Sequence, residues 1–323
     1  MTTTDSMPAA QHVPVMMTEV LALLRPRPQA DFLDGTVGGG GHTAALLEAS
    51  APDGRVLGLD RDAEALGVAG QRLASFAGRC VLRHENFSQA PAALSALGWE
   101  GVDGVLLDLG FSSLQIESEE RGFSFLRSGP LDMRMDRQEE LRAADLVNHA
   151  SVTELKRIFH DLGEEHAAGA LARALVRARA KAPVTTTTAL VDAVEQAVKR
   201  TPASRLHPAT RAFQALRIAV NRELDHLAAF LQDGYRLLRP GGRMVILAYH
   251  SLEDRLVKGA FRRWAATCLC PPQIHVCVCG WSQQVTILTP RPLTPTPQEV
   301  ARNPRARSAR LRAVERCAGK GEA

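Results

Sequence analysis

Residues 31–49, DFLDGTVGGGGHTAALLEA, run from a short apolar strand signal through four consecutive glycines into a helical pattern. Glycines between a strand and a helix let the backbone approach a ligand closely, with the amide donors of the helix N-terminus aimed at it. A dinucleotide fingerprint needs G-x-G-x-x-G, and counting from Gly38 puts Thr43 in the last place. The turn therefore suits a nucleotide-like ligand other than a dinucleotide, although a glycine run alone is also compatible with a plain flexible loop.

The next segments narrow the ligand. Arg55 to Leu59 reads as a second strand and ends on Asp60, about 20 residues after the glycines, where an acid can hydrogen-bond both hydroxyls of a ribose. Asp34, which ends the first strand, suits a cationic amino-acid group; beside a pyrophosphate it would be repelled. Asn86 and Phe87 follow a third strand candidate, and Val102 to Leu109 forms a fourth that carries Asp108. Three acids and one aromatic then gather at the carboxyl edge of a parallel sheet, where ligands of such folds bind. Phe87 is placed to flank an adenine and Asp108 to reach the adenine amine or a substrate. The combination fits S-adenosylmethionine.

Strands alternating with helices predict an α/β fold with a parallel sheet. From about Leu114 to Asn221 the pattern turns helical, with Ser151 and Glu154 as a capping box and Pro208 in the first turn of another helix. On that helix Phe213, Leu216, Val220 and Leu224 make an apolar face, and Thr210, Gln214, Arg217 and Asn221 line up on another. The α/β pattern resumes with a strand from Arg243 to Tyr249, and QVTILTP and ARLRAVER supply closing edge strands. The expected organisation is a Rossmann-like sheet in two parts, 1–113 and 222–323, interrupted by a helical substrate-binding domain at 114–221.

With 323 residues, 45% of them apolar and 23% charged, the chain has room for a large core and ordinary globular composition. Net charge is +4, and five of the 39 basic residues are lysine, so guanidinium forks dominate. Such forks grip phosphates bidentately. No apolar run approaches the ~20 residues of a membrane span, and the opening MTTTDSMPAA has no basic, apolar leader. Six cysteines, four of them between Cys268 and Cys279, are too few for a secreted disulfide scaffold. A cytoplasmic, membrane-free protein is expected.

Longer motifs then run in order along nearly the whole chain: HVPVM at 12–16, DGTVGGGGH at 34–42, LDRD at 59–62, LLDLGFSSLQ at 106–115, RGFSF at 121–125, GPLDMRMD at 129–136, HPATRAFQALRIAVN at 207–221, YHSLEDR at 249–255 and NPRARSARLR at 303–312. With these the chain resembles the bacterial RsmH (MraW) family, cytosine-N4 methyltransferases of small-subunit (16S) ribosomal RNA. The resemblance implies a class I S-adenosylmethionine-dependent methyltransferase fold with an inserted helical domain. It also implies cofactor contacts from Gly40, Gly41, His42, Asp60, Phe87, Asp108 and Gln115; the residues themselves add Asp34 and Gly38.

Cytosine N4 is a poor nucleophile because its lone pair is delocalised into the ring, so a catalyst must align and polarise it. Asp108-Leu109-Gly110-Phe111 stands where many amino-methyltransferases carry Asn/Asp-Pro-Pro-aromatic; the prolines are absent here. Asp132 and His250 are the alternative acceptors or bases, and each has a structural reading, Asp132 as the ion-pair partner of Arg134 and His250 as a strand-end side chain. Methylation at C5 would need a cysteine thiolate, and none lies near the fourth-strand turn. Arg211 and Arg217, with the arginines at 302, 305, 307, 310 and 312, are the candidate RNA contacts. Cys268, Cys270, Cys277 and Cys279 offer four thiolates for a structural zinc, with reduced thiols or redox pairing as alternatives. The competing functions are methylation of another RNA, a protein or a small molecule, and a ribosome-assembly factor that binds RNA without turnover.

Overall fold

The computed structural model describes residues 14–198, 207–271, 273 and 276–318; His12 and Val13 of the first motif, and Pro272 of the cysteine loop, lie outside them. The chain divides into two compact units. The first takes 14–60, Leu66–Gly110 and 233–318, and the second takes Arg61–Ala65 and 111–232, less the residues outside the description.

The first unit is a sheet of seven described strands: β1 (Asp31–Asp34), β2 (Arg55–Asp60), β3 (Cys80–His84), β4 (Val102–Asp108), β5 (Leu238–Ala248), β6 (Val285–Ile287) and β7 (Arg310–Arg316). Their order is β3-β2-β1-β4-β5-β7-β6, and every pair is parallel except those that β7 makes. This is the expected Rossmann-like α/β sheet. Of the two closing strands, β7 pairs on both sides and only β6 lies at the edge.

Burial explains the strands. All four residues of β1 are buried, and in β5 everything from Arg243 to Ala248 is. Strands covered on both faces read as continuous apolar runs rather than alternating ones. The core joins Phe32, Val56, Leu106, Val245 and Leu247 of the sheet to Val20 and Leu24 of α1 (Met17–Leu24) and Leu46 and Leu47 of α2 (Gly41–Ala49).

The two ends of the sheet treat their acids differently. At the amino ends, Arg239 bridges Asp31 and Asp103 at 2.7 Å each, and Arg55 also pairs with Asp31 at 2.7 Å. At the carboxyl ends, Asp34, Asp60 and Asp108 take amide and hydroxyl donors instead.

After α2 the chain forms α3 (Ala63–Arg72) and α4 (Ala90–Ser95); the second unit is helical, with α5 (Ser113–Glu117), α6 (Ala143–His149), α7 (Val152–Asp161), α8 (Ala168–Arg179), α9 (Thr187–Ala197), α10 (Ala209–Asn221) and α11 (Glu223–Asp233). It has its own core, in which Leu155, Phe159, Leu171, Leu175, Leu190, Phe213 and Leu216 meet. The Ser151/Glu154 capping box opens α7 as its sequence predicts. The unit extends to Gln232 and so takes in nearly all of α11, a helix that the sequence pattern assigns to the returning sheet half. Among the described residues no helix is long and apolar enough to cross a membrane.

Candidate active site

The glycine turn is braced from below by Asp34. Its carboxylate, fully buried, accepts from the Thr43 hydroxyl at 2.6 Å and from the Thr36 amide at 3.1 Å. Burial pushes its pKa up to about 6, against the hydrogen bond from Thr43. Both oxygens are thus engaged by protein donors, so Asp34 shapes the turn, a role that differs from the direct grip on a cationic group expected from its sequence position. Thr36 passes the register on: its hydroxyl accepts from the Asp108 amide at 2.6 Å.

Above that brace the turn is open. Gly38 has φ +52°, and a Cβ there would meet no heavy atom within 4 Å, so the backbone surface is bare at this point. Its amide donates to Asp60 at 2.7 Å, which fixes the carboxylate ending β2 beside the glycines. Gly40 caps α2 in the left-handed region and Gly41 is the first residue of that helix. Phe87 begins a short 3-10 turn after β3, capped by Asn86, and a Cβ built on Gly35 would lie 2.8 Å from its own. Asp34, Gly38, Gly40, Gly41, Asp60 and Phe87 are therefore brought to one edge. Bare glycine backbone, a carboxylate and an aromatic side chain fit an adenosyl ligand carrying a ribose diol.

Asp108 ends β4 on the same edge. Tyr249, directly after β5, donates its hydroxyl to Asp108 Oδ1 at 2.6 Å, and His42 Nδ1 stands 3.7 Å from Oδ2. His42 Nε2 is 3.0 Å from the Val15 carbonyl, which can only accept, so the ring proton sits on Nε2. Burial lowers the His42 pKa and favours the neutral ring. Burial also pushes Asp108 up to about 7, opposed by the Tyr249 hydrogen bond. Tyr249 itself is raised well above the usual phenol range, by burial and by the Asp108 charge, and stays a donor. Gly110, at φ +98°, leaves space against the Tyr249 ring: a Cβ there would sit 3.4 Å from it. The tyrosine is the residue that sequence reasoning missed. Its only signal is that YHSLEDR follows a strand on the same edge as Asp108.

The other candidate bases are engaged elsewhere. His250 caps α12 (Ser251–Ala265): Nδ1 accepts from the Glu253 amide at 3.4 Å, while the buried Nε2, 3.1 Å from Glu253 Oε1, makes no hydrogen bond among the described residues. Asp132 takes two bonds from the Arg134 fork, at 2.8 and 2.7 Å, and a third from its amide at 3.0 Å. Burial works to raise its pKa, but these bonds outweigh it and hold the carboxylate below its ordinary range. A base of that kind is weak, and the ion-pair reading describes Asp132.

Within the helical unit the remaining motifs meet in a buried ionic knot. Arg121 donates to Asp62 at 2.8 Å, to Glu64 at 2.9 Å and to the Met135 carbonyl at 2.8 Å, and Gln115 donates to the same Asp62 oxygen at 2.8 Å. Asn221 pins the following loop, accepting from the Met135 amide and donating to the Met133 carbonyl, both at 2.7 Å. Gln115 is thus positioned by Asp62, a contact that the spacing of LDRD and LLDLGFSSLQ does not reveal.

The arginines divide. Arg211 is exposed and 3.9 Å from Glu165; Arg305 and Arg307 are exposed on a 3-10 turn, Pro304–Ser308. Arg217 is buried, its fork spent on Glu223 at 2.9 and 3.0 Å and stacked on Phe111 at 4.9 Å, so it serves packing where an RNA contact was expected. Arg312 is likewise buried against Asp254 at 2.6 Å, within the run Leu311–Val314 that is buried throughout because β7 is an internal strand. In the cysteine loop, Cys268, Cys270, Cys277 and Cys279 bring their four sulfurs within 4.8 Å of one another.

Comparison with known proteins gives the family. The model of the MraW methylase family matches residues 9–317. The protein of Syntrophotalea carbinolica named ribosomal RNA small subunit methyltransferase H is 53% identical over 95% of this chain and 98% of its own length. Those of Geotalea daltonii and Thermomicrobium roseum, named alike, are 51% identical over 95% and 98%, and 50% identical over 96% and 95%.

Proposed function

The chain belongs to the MraW methylase family, and from that premise we propose that it transfers a methyl group from S-adenosylmethionine to N4 of a cytosine in small-subunit (16S) ribosomal RNA. The observation that carries the reading is Asp108, a carboxylate at the edge of the sheet beside the open glycine turn, held by the Tyr249 hydroxyl. When bound, the cofactor supplies a sulfonium-activated methyl group. The residues Gly38, Gly40, Gly41, His42, Asp60, Phe87, Asp108 and Gln115 are the proposed cofactor contacts, Asp60 taking the ribose hydroxyls and Phe87 flanking the adenine.

The chain's own work is alignment and polarisation. Ionised Asp108 accepts a hydrogen bond from the exocyclic amine, which localises the nitrogen lone pair for attack and stabilises the positive charge that grows there. The Tyr249 hydroxyl holds the carboxylate in place and stabilises its ionised form. After transfer N4 carries a surplus proton, and Asp108, with a pKa of about 7, can accept it. Cys80, the cysteine of this unit outside the 268–317 stretch, has its thiol pushed up to about 11 by burial, which disfavours the thiolate attack that C5 methylation needs.

A cytosine must be single-stranded or splayed out to offer its amine. The helical unit is the proposed substrate-binding part and carries Arg211 as a phosphate contact; Arg305 and Arg307 of the sheet unit are the others. The same reading gives the four-cysteine loop a structural zinc with no part in the chemistry. The test is a panel of acceptors: intact small subunits, naked ribosomal RNA, unrelated RNA and peptides, each incubated with the chain and methyl-labelled cofactor. Label is expected on the small-subunit RNA. Preferential labelling of peptide or unrelated RNA would overturn the proposal.

A further inference from the structure

The loop between α12 and β6 cannot be held by a hydrophobic core. Among the described residues from 266 to 284 none is buried, and Val276 and Val278 are each 75% exposed. The loop is nonetheless closed at its base, where the Trp281 indole donates to the Ala266 carbonyl at 3.0 Å and the Gln284 amide to the Trp264 carbonyl at 2.8 Å. Its outer part is gathered around sulfur. Small segments without a core are usually ordered by disulfides or a metal.

The sulfur geometry separates these two devices. Cys268 and Cys277 stand 3.3 Å apart, Cys277 and Cys279 3.5 Å, Cys268 and Cys279 3.7 Å, and Cys270 and Cys277 4.0 Å. A disulfide needs about 2.05 Å, and all four thiols are free. Four sulfurs about 2.3 Å from a tetrahedral ion would be separated by about 3.8 Å, close to the spacings seen. The backbone is arranged as it is around thiolates: the Cys270 amide donates to Cys268 Sγ at 3.3 Å, and those of Leu269 and Val278 donate to Cys279 and Cys270 at 3.4 Å each. Such outer donors neutralise and orient ligands that carry charge.

We propose that Cys268, Cys270, Cys277 and Cys279 bind one zinc ion in a closed tetrathiolate site that orders the 266–284 loop. Four protein ligands leave no position for water or substrate, so the ion is structural. This deepens the zinc component of the reading above and is independent of methyl transfer, because metal content is measured without turnover.

The test is metal analysis of the full chain purified without chelator, followed by replacement with cobalt. About one zinc per chain is expected, and the cobalt form should show thiolate-to-metal charge-transfer absorption and the intense ligand-field bands of a tetrahedral site. Cys277→Ser combined with Cys279→Ser should lower zinc content at least about tenfold while S-adenosylmethionine still binds. Cobalt spectroscopy on the unaltered chain decides the matter even where that variant fails to fold. A chain without transition metal that gives no charge-transfer band overturns the proposal, as does stoichiometric iron, or an intact mass short of two hydrogens for each cysteine bridge.

Discussion

The Tyr249 hydroxyl donates to Asp108 Oδ1 at 2.6 Å, joining the first residue after β5 to the last residue of β4. Because burial holds Asp108 near 7, this bond sets how much of the carboxylate is ionised under ordinary conditions. The rate of methyl transfer, measured as kcat/KM, is expected to rise with pH through about 7 as Asp108 loses its proton. Tyr249→Phe removes a donor that favours the ionised form, so the rising limb should move to higher pH. A hydrogen bond to a charged group contributes roughly 1.5–3 kcal/mol, or about one to two pH units. A limb that stays in place would show that Tyr249 does not act through Asp108.

Asp108→Asn separates stability from chemistry. The ordinary carboxyl value of 3.8 rises to about 7 in the fold, so between these values the folded chain keeps a proton that the unfolded chain has released. Stability contributed by this group therefore falls as pH rises through that window and is lowest above about pH 7. The amide variant should be more stable than the parent at about pH 8, by of order 1–4 kcal/mol, with the advantage vanishing near about pH 4. Its methyl transfer should fall by at least about a hundredfold. Denaturant titrations at the two pH values read the first effect. Asp34 rises in the same direction, to about 6, so only the difference between parent and variant isolates Asp108.

Asp60→Ala removes the acceptor for the ribose hydroxyls and releases the Gly38 amide that it holds at 2.7 Å. Calorimetric titration should show cofactor affinity reduced at least about tenfold, or about 1.4 kcal/mol, with the far-ultraviolet spectrum unchanged. Unaltered affinity would remove Asp60 from the binding site.

Arg121→Ala strands Asp62, 2% exposed, inside the helical unit without its cation. Breaking a buried pair from one side costs about 3–5 kcal/mol. A clear drop in melting temperature is expected, and a melting temperature indistinguishable from the parent's would contradict the ionic knot as a structural element.

The sheet is legible in the sequence because its strands are short apolar runs ending on acids, and parallel pairing forces Asp34, Asp60 and Asp108 to one edge. The helical unit is legible through Ser151, Glu154 and the period of Phe213 and Leu216. Side-chain partners are not. Arg217 looks like a surface residue because it shares a helical face with Thr210 and Gln214, yet a long side chain can fold back onto Glu223 and Phe111. In sequence Asp132 and Asp34 look equally able to serve a ligand, and only their donors show that each is committed to its own loop. Tyr249 gives no pattern of its own, since its partner lies 141 residues away in the chain.

The methyl group is expected to arrive on the cytosine amine. Small subunits incubated with the chain and methyl-labelled S-adenosylmethionine can be stripped of protein, their RNA digested to nucleosides and separated by mass spectrometry. Label is expected in N4-methylcytidine and should be lost with Asp108→Asn. Label in 5-methylcytidine, or in any nucleoside other than cytidine, would contradict the N4 assignment.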